Sequence, residues 1–221
     1  MLAELFDIDT LIEVFPLLVR GLSVTLGLAL LVLPLSALAG LLLAVVHFSG
    51  GPVKKMLVTS YVDFMRSFPP LVMLIFIFYG LPMLGLYLNN FFAAIAALVL
   101  NGSSYFTEIF RAGLEAVPKG QSEAARSTGL TKHQSILHVV IPQGVRKVIP
   151  DLASNTLELF KLTSIASVVA IEELLRSAQI GQGLFYNPTP LIAAAFIYLA
   201  ILWPMVRWIS RLQGKITIPT Q

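Results

Sequence analysis

The sequence contains no cysteine among its 221 residues, and only 12% of its residues are charged. The absence of thiols excludes disulfides, thiolate nucleophiles and metal sites built on cysteine. Soluble domains carry about 25% charged residues. A chain with 57% hydrophobic residues and a mean hydropathy of +0.83 is instead typical of a membrane protein.

Several sequence motifs of enzymes and binding proteins are also missing. There is no G-x-x-x-x-G-K-[ST] pattern to hold the phosphates of ATP, and no H-E-x-x-H pattern to bind zinc. The basic residues lie between apolar segments instead of forming one basic face, which argues against nucleic acid as a partner. The acidic beginning of the chain lacks the positive region of a signal peptide, so we expect it to remain in the mature protein. We therefore predict neither catalytic residues nor a metal site.

Long apolar segments dominate what is present. A helix needs about 20 apolar residues to cross a hydrocarbon core. Residues 1–221 thus read as a single all-α membrane domain, with kinks predicted at Pro34 and Pro204. The second span has an alternative position at 69–88, because Pro69 and Pro70 favour a helix start there. The five predicted spans are 22–46, 62–84, 91–110, 150–171 and 190–209.

The positive charges predict the orientation of these spans. Lysine and arginine near the ends of spans are retained on the cytoplasmic side. If the N-terminus lies outside, the outer segments contain only Arg20 and Arg176. We therefore predict an external N-terminus and a cytoplasmic C-terminus. The inner segments then contain Lys54, Lys55, Arg111, Lys119, Arg126, Lys132, Arg146, Lys147, Arg207, Arg211 and Lys215.

The segment 112–147 is too polar to span a membrane and has a helix–turn–helix pattern. Helix-forming residues end at Gly129, a residue that suits the left-handed position after a helix. Thr131 and Gln134 then form a capping box for a second helix, which Pro142 is predicted to interrupt. Small side chains beside Glu123 allow another surface to approach the backbone closely. Docking of a partner and packing against the chain's own bundle both remain open here.

This segment, EAARSTGLTKHQSILHVVIPQGVRKVIP, resembles the cytoplasmic EAA loop of ABC importer permeases. The shared elements are Glu123-Ala124-Ala125, Gly129 and Ile141-Pro142. The stretches FMRSFPPLVML, FTEIFRAGLEAVPKGQSEAA and EELLRSAQIGQ are similar to segments of the polar amino-acid uptake branch. The resemblance covers residues from about 20 to 212 and implies a type I importer transmembrane domain in a bacterial inner membrane.

The resemblance implies a division of labour between subunits. Glu123, Ala124, Ala125 and Gly129 would couple the permease to a cytoplasmic ABC ATPase dimer, and ATP-Mg would bind only to those partner subunits. The chain would form half of an amino-acid path with a second permease, identical or related, and would receive substrate from an external solute-binding protein. An external loop over 172–189 would meet that protein; the alternative is an interfacial helix with an ion pair between Glu173 and Arg176.

Polar residues inside predicted spans are candidates for the substrate path, because charges there are costly. Glu158 and Lys161 lie three residues apart and either neutralise one another or contact substrate. Asn101, Ser103, Ser104 and Glu108 form a second cluster, for which close helix packing is the alternative. Relatives carry an acidic residue where Leu162 stands, which argues against a cationic substrate unless Glu158 replaces it. The candidates for the path are Asn101, Ser104, Glu108, Glu158, Lys161, Thr163 and Ser164.

Two other functions were compared with an ATP-driven importer. An intramembrane hydrolase is suggested by Asn101-Gly-Ser-Ser and His47, but the histidines do not form a catalytic arrangement with them. A secondary transporter driven by an ion gradient is the stronger alternative, although it needs no docking helix and usually contains inverted repeats. We therefore predict a non-enzymatic permease subunit whose associated ATPase activity resides on another chain.

Overall fold

The computed structural model describes the backbone of residues 6–216 and the side chains of residues 6–211. Helix α1 covers Ile8–Ser49, which extends the predicted span 22–46 in both directions. Its 42 residues correspond to roughly 60 Å of helix, about twice the hydrocarbon thickness. The helix is continuous through Pro34, as the last helix, Thr189–Ile216, is through Pro204, and the kinks at these two residues stay predictions.

The predicted continuous helix over 62–84 is wrong. Helix α2 covers Pro52–Ser67, and a bend of 98° separates it from the helical segment Pro70–Leu84. Phe68 is extended, with φ −91° and ψ 122°, because a residue that precedes proline is excluded from the helical region. Pro70 then occupies the first turn of α3 (Pro70–Ile75), where its missing N–H costs nothing. The segment continues as a π-helix, Phe76–Gly80, and a 3-10 helix, Leu81–Leu84.

Helix α4, Asn90–Glu115, contains the whole predicted span 91–110. After it come α5, Lys119–Ser127, and a continuous helical segment made of α6, Lys132–Ser135, a π-helix, Ile136–Val140, and α7, Ile141–Lys147. The predicted interruption at Pro142 does not occur. The preceding π-turn bonds Ile141 N–H to the carbonyl of Ile136, and so adapts the helix to a residue without an N–H.

The predicted span over 150–171 changes its helix type before its end. Helix α8 covers Ile149–Leu162 and continues as a 3-10 helix, Thr163–Val169. The hydroxyls of Thr163 and Ser164 donate to carbonyls three residues back, which suits the tighter turn. The predicted external loop contains helix α9, Leu174–Phe185, and α10 covers Thr189–Ile216.

Three helices within residues 6–216 are long and apolar enough to cross a membrane: Ile8–Ser49, Asn90–Glu115 and the Thr189–Arg211 part of α10. The bent pair α2 and Pro70–Leu84 raises this to four if it forms one span. Five spans and the orientation of the termini therefore stay predictions. Residues 1–5, which belong to the predicted outer N-terminus, lie outside the described residues. The side chain of Lys215, predicted to be on the inner side, lies outside them too.

The described residues group into two compact units. The first contains residues up to 33, 69–98 and from 157 onwards; the second contains 34–68 and 99–156. In the first unit, α1, α9 and α10 share an apolar core. Its buried members are Val14, Leu18, Leu174, Ala178, Ala193 and Ala194. The single domain over residues 1–221 stays a prediction.

Candidate functional site

Helix α5, which carries the Glu-Ala-Ala motif, is largely exposed. None of its residues is buried, Glu123 and Ala124 are exposed, and Ser122 and Ala125 are half-buried within the second unit. The helix ends as predicted at Gly129, whose φ is +94°. Leu130 N–H donates to the Ala125 carbonyl and Gly129 N–H to the Arg126 carbonyl, which is the hydrogen-bond pattern of a Schellman motif.

The predicted capping box at the start of α6 is confirmed. The Thr131 hydroxyl accepts from Gln134 N–H at 3.3 Å, and the Gln134 side chain accepts from Thr131 N–H at 2.9 Å. The hydroxyls of Ser122 and Ser135 lie 3.0 Å apart, so α5 is hydrogen-bonded to the following helical segment. These contacts fix the geometry of the helix–turn–helix while leaving Glu123 and Ala124 exposed to a partner.

An open cleft lies beside the Glu-Ala-Ala motif within the second unit. Its volume is about 470 Å³, and its lining combines apolar side chains with charges of both signs. The acidic members are Glu115 and Glu123, and the basic members are Lys119 and Arg126. The surface therefore offers a partner both a concave apolar contact and complementary charges.

The polar cluster predicted in the third span is buried and internally hydrogen-bonded. Asn101 Nδ2 donates to the Met65 carbonyl at 3.3 Å, and Ser104 Oγ donates to the Asn101 carbonyl at 2.6 Å. The hydroxyls of Ser103 and Tyr61 lie 2.7 Å apart. These contacts support the helix-packing alternative for α2 and α4; a role of Asn101 and Ser104 in the substrate path stays a prediction.

Glu108 belongs to a charge network that the sequence analysis did not identify. Arg111 binds both of its carboxylate oxygens, with Nε–Oε1 at 3.0 Å and Nη2–Oε2 at 2.9 Å. Arg111 also reaches Glu115 at 2.9 Å, and Arg66 approaches Glu108 at 3.8 Å while its guanidinium lies over the Tyr105 ring. The spacing of Glu108, Arg111 and Glu115 was a readable signal, because residues three and four apart share a helix face.

In the first unit, the predicted Glu158–Lys161 contact is present. Lys161 Nζ lies 2.6 Å from Glu158 Oε1, and the two side chains remain 46% and 66% exposed, respectively. Lys161 and Ser164 also line an otherwise mainly apolar pocket of about 300 Å³ beside α10. Thr163 is buried and donates to the Phe160 carbonyl. A substrate contact by Glu158, Lys161, Thr163 or Ser164 stays a prediction.

The ion pair between Glu173 and Arg176, which was the alternative for the outer loop, does not form. Glu173 is fully buried and caps α9, accepting from the backbone N–H of Leu175 at 3.0 Å and of Arg176 at 2.7 Å. The Tyr198 hydroxyl donates to the same carboxylate at 3.0 Å. Burial raises the pKa of Glu173, while the amide donors act in the opposite direction. A carboxylate without solvent access does not contact a soluble partner, which removes Glu173 from the predicted outer surface.

Comparisons with known proteins agree with these features. The family described as "Binding-protein-dependent transport system inner membrane component" matches residues 34–218. The probable glutamine ABC transporter permease protein GlnP of Bacillus subtilis (strain 168) is 37% identical over 202 residues, covering 89% of this chain and 92% of that protein. The L-cystine transport system permease protein TcyB of the same organism is 36% identical over 189 residues, covering 85% of this chain and 81% of that protein.

Solved structures share the fold. One described as an amino acid ABC transporter with histidines has a TM-score of 0.83 and 34% sequence identity, and the match covers 95% of this chain and 98% of that chain. An inward-facing MetNI methionine ABC transporter structure has a TM-score of 0.74 at 20% identity, covering 91% and 97% of the two chains, which supports the fold alone.

The fold and the comparisons define a class: a helical, multi-pass permease of the ABC importer type. Within that class, the chain belongs to the family of binding-protein-dependent transport system inner membrane components. The family places it in the inner membrane, and the related proteins are transporter permease subunits and not enzymes. This confirms the family that the Glu-Ala-Ala loop indicated.

Proposed function

We propose that this chain is the permease subunit of an ATP-driven importer of polar amino acids and that α5 couples it to a separate cytoplasmic ATPase. The observation that supports this most is the exposure of α5, which has no buried residue. A nine-residue helix is unstable alone in water, so a Schellman motif at its end, the Ser122–Ser135 contact and a largely exposed surface suit a preformed element that binds a partner.

The proposed coupling separates chemistry from transport. The sequence has no phosphate-binding loop, so ATP-Mg binds to the two ATPase subunits in this proposal. Glu123 contacts the ATPase surface, while Ala124, Ala125 and Gly129 allow a close approach of backbones. Closure of the ATPase dimer displaces α5 as a rigid element, and this displacement changes the access of the path.

The other partners follow from the same proposal. A second permease, identical or related, completes the path, and a solute-binding protein delivers substrate on the outer side. The relatives named for glutamine and L-cystine support a polar amino acid as the substrate. Leu162 supplies no carboxylate, and Glu158 is already paired with Lys161, so an uncharged polar side chain fits these residues better than a cationic one. Glutamine is therefore the first substrate to test.

The first experiment is purification of the chain from its native membrane, followed by uptake into vesicles with and without ATP. We expect an ATPase to co-purify, and we expect ATP-dependent uptake from a panel of glutamine, histidine, arginine and cystine. Uptake that is driven by an ion gradient without an ATPase would instead identify a secondary transporter, and the proposal would be wrong.

The second experiment tests the docking role directly with Gly129→Asp. We expect this variant to insert normally but to hydrolyse ATP without matching uptake. The matched control is Gly85→Asp, because Gly85 has a similar φ of +82° and similarly open surroundings but lies in the first unit. Equal uptake by Gly129→Asp and Gly85→Asp would contradict docking at Gly129.

A further inference from the structure

The helical segment 132–147, called here the rod, is bound at both ends to the ends of long helices. Lys132, its first residue, donates from Nζ to the carbonyl of Ser49, the last residue of α1, at 3.0 Å. Lys147, its last residue, donates to the carbonyl of Ala116, which directly follows α4. Each lysine therefore binds the C-terminal end of a different apolar helix.

Both contacts have a physical cause. The last carbonyls of a helix lack partners within it and carry partial negative charge, so an ammonium group stabilises them. For Lys132 the contact also explains its position, because a cation at the start of its own helix is unfavourable. The bond to the Ser49 carbonyl, across 83 residues of sequence, offsets that cost.

The last turn of the rod contacts α4 without an intervening side chain, three residues before Lys147. A Cβ added at Gly113 would lie 2.6 Å from the Gly144 carbonyl oxygen, and one added at Gly144 would lie 2.9 Å from the Gly113 oxygen. Such distances leave room only for glycine at both positions. Together with the two lysine contacts, this fixes the rod at its start and along its last turn, all within the second unit.

Helix α5 contacts the rod directly. The Ser122 and Ser135 hydroxyls lie 3.0 Å apart, and Ser135 is fully buried. Helix α5 is therefore hydrogen-bonded to the rod, and it follows the end of α4 after only three residues.

We propose that Lys132 and Lys147 are positioning residues that clamp the rod to α1 and α4, so that one displacement of α5 moves both helix ends together. This inference rests on the proposed function, because it assumes that an ATPase displaces α5. Beyond the proposed function, it specifies that α1 and α4 receive the movement and that the side chains of Lys132 and Lys147 transmit it.

The main test measures uptake per ATP hydrolysed for Lys132→Met, Lys147→Met and the double variant. Methionine keeps most of the apolar stem but removes the donor. The complex with its co-purified ATPase is placed in vesicles with the binding protein and the panel amino acid that the unmodified complex transports best. We expect this ratio to be at least about fivefold lower in the double variant than in the unmodified complex, because coupling between two sites typically changes an equilibrium by about 5- to 150-fold. Arginine at both positions should retain the ratio.

The matched control is Lys55→Met. Lys55 is also an exposed lysine, and its side chain makes no hydrogen bond or ion pair with the residues that the structure describes. Its ratio should equal that of the unmodified complex. If Lys132→Met and Lys147→Met lower the amount of complex but leave the ratio unchanged, the lysines are only structural and the clamp is wrong.

A cross-link provides an independent test, since the chain contains no other cysteine. The double variant Ser49→Cys with Lys132→Cys should show a reduced ratio, and joining the two thiols with a short bifunctional reagent should restore it. Loss of uptake on cross-linking would show that α1 and the rod move apart, which overturns the proposal. No ATP-dependent uptake by the unmodified complex would instead show that the proposed function itself is wrong.

Discussion

Helix α5, with nine residues, buries none of them, whereas α9, a more apolar helix of 12 residues, buries Leu174, Ser177, Ala178 and Gly181. A glutamate accompanies each helix, within α5 in one case and as the N-cap of α9 in the other. Glu123 is exposed on α5, and Glu173 is fully buried at the start of α9. A glutamate is therefore exposed on the surface of one helix and part of an internal hydrogen-bond network at the start of the other.

The difference follows from what stabilises each helix. Helix α9 packs on α1 and α10 through an apolar face, and its N-terminal amides are capped by Glu173. Helix α5 relies on its Schellman end and on the Ser122–Ser135 contact. A helix that is stabilised mainly at its ends leaves its faces free for a partner, while a packed helix is constrained on its buried face.

The largest expected effect on stability comes from adding a side chain where α9 packs closely on α1. A Cβ at Gly181 would lie 2.5 Å from Val14 Cγ2, so Gly181→Leu overpacks the contact of α9 with α1. We expect a loss of about 3 kcal/mol of stability, measured by thermal unfolding of the purified protein. Gly120→Leu in α5 is the control, because nothing lies within 4 Å of its added Cβ. Equal destabilisation of both variants would remove the contrast between the helices.

The second-largest effect on stability is expected when buried Glu173 is replaced, in comparison with a replacement of exposed Glu123. Glu173→Ala removes a cap and leaves the Tyr198 hydroxyl and the amides of Leu175 and Arg176 without their acceptor, so we expect a loss of about 2 kcal/mol. Glu123→Ala should leave thermal unfolding unchanged but reduce co-purification of the ATPase. A stable Glu173→Ala protein would show that the buried network contributes little.

The capping box separates stability at the ends from binding on the faces. Thr131→Ala removes the acceptor for Gln134 N–H, and we expect a loss of about 1 kcal/mol. Thr128→Ala is the control, because its hydroxyl donates back to the Ala125 carbonyl within the preceding turn. Matching unfolding temperatures for the two variants would contradict a stabilising role for the box.

The smallest effect on stability is expected at the exposed pair of α8. Glu158→Gln should change stability by less than about 0.5 kcal/mol, since ion pairs this exposed contribute little. We nevertheless expect it to reduce ATP-dependent uptake, because Glu158 is a candidate of the substrate path. Glu13→Gln, at an exposed glutamate outside the predicted spans and loops, should leave uptake unchanged. Normal uptake by Glu158→Gln would remove this residue from the path.

Local features were predictable wherever neighbouring residues decide the structure. Gly129 ends α5 because a left-handed residue is needed there, and Thr131 and Gln134 cap α6 because their side chains reach the adjacent amides. The Glu158–Lys161 contact was also predictable, since positions three apart share a helix face.

Hydropathy treated 62–84 as continuous, because an apolar average does not register the local steric effect of Pro69 on Phe68; only the alternative start at Pro69 and Pro70 indicated the break. Features that depend on distant partners left no such local signal. Glu173 was assigned to an outer surface, because nothing nearby in the sequence reveals the Tyr198 hydroxyl. The lysine contacts to the Ser49 and Ala116 carbonyls likewise join residues 83 and 31 positions apart.

The sequence by itself determined the membrane character, the family motif and the local caps, because composition and short-range hydrogen bonds are written in adjacent residues. Only the tertiary structure decided which glutamate is buried, which lysines bind helix ends and which glycines permit backbones to touch. Those outcomes depend on which helices pack together, and packing brings into contact groups whose separation along the chain carries no signal of their proximity.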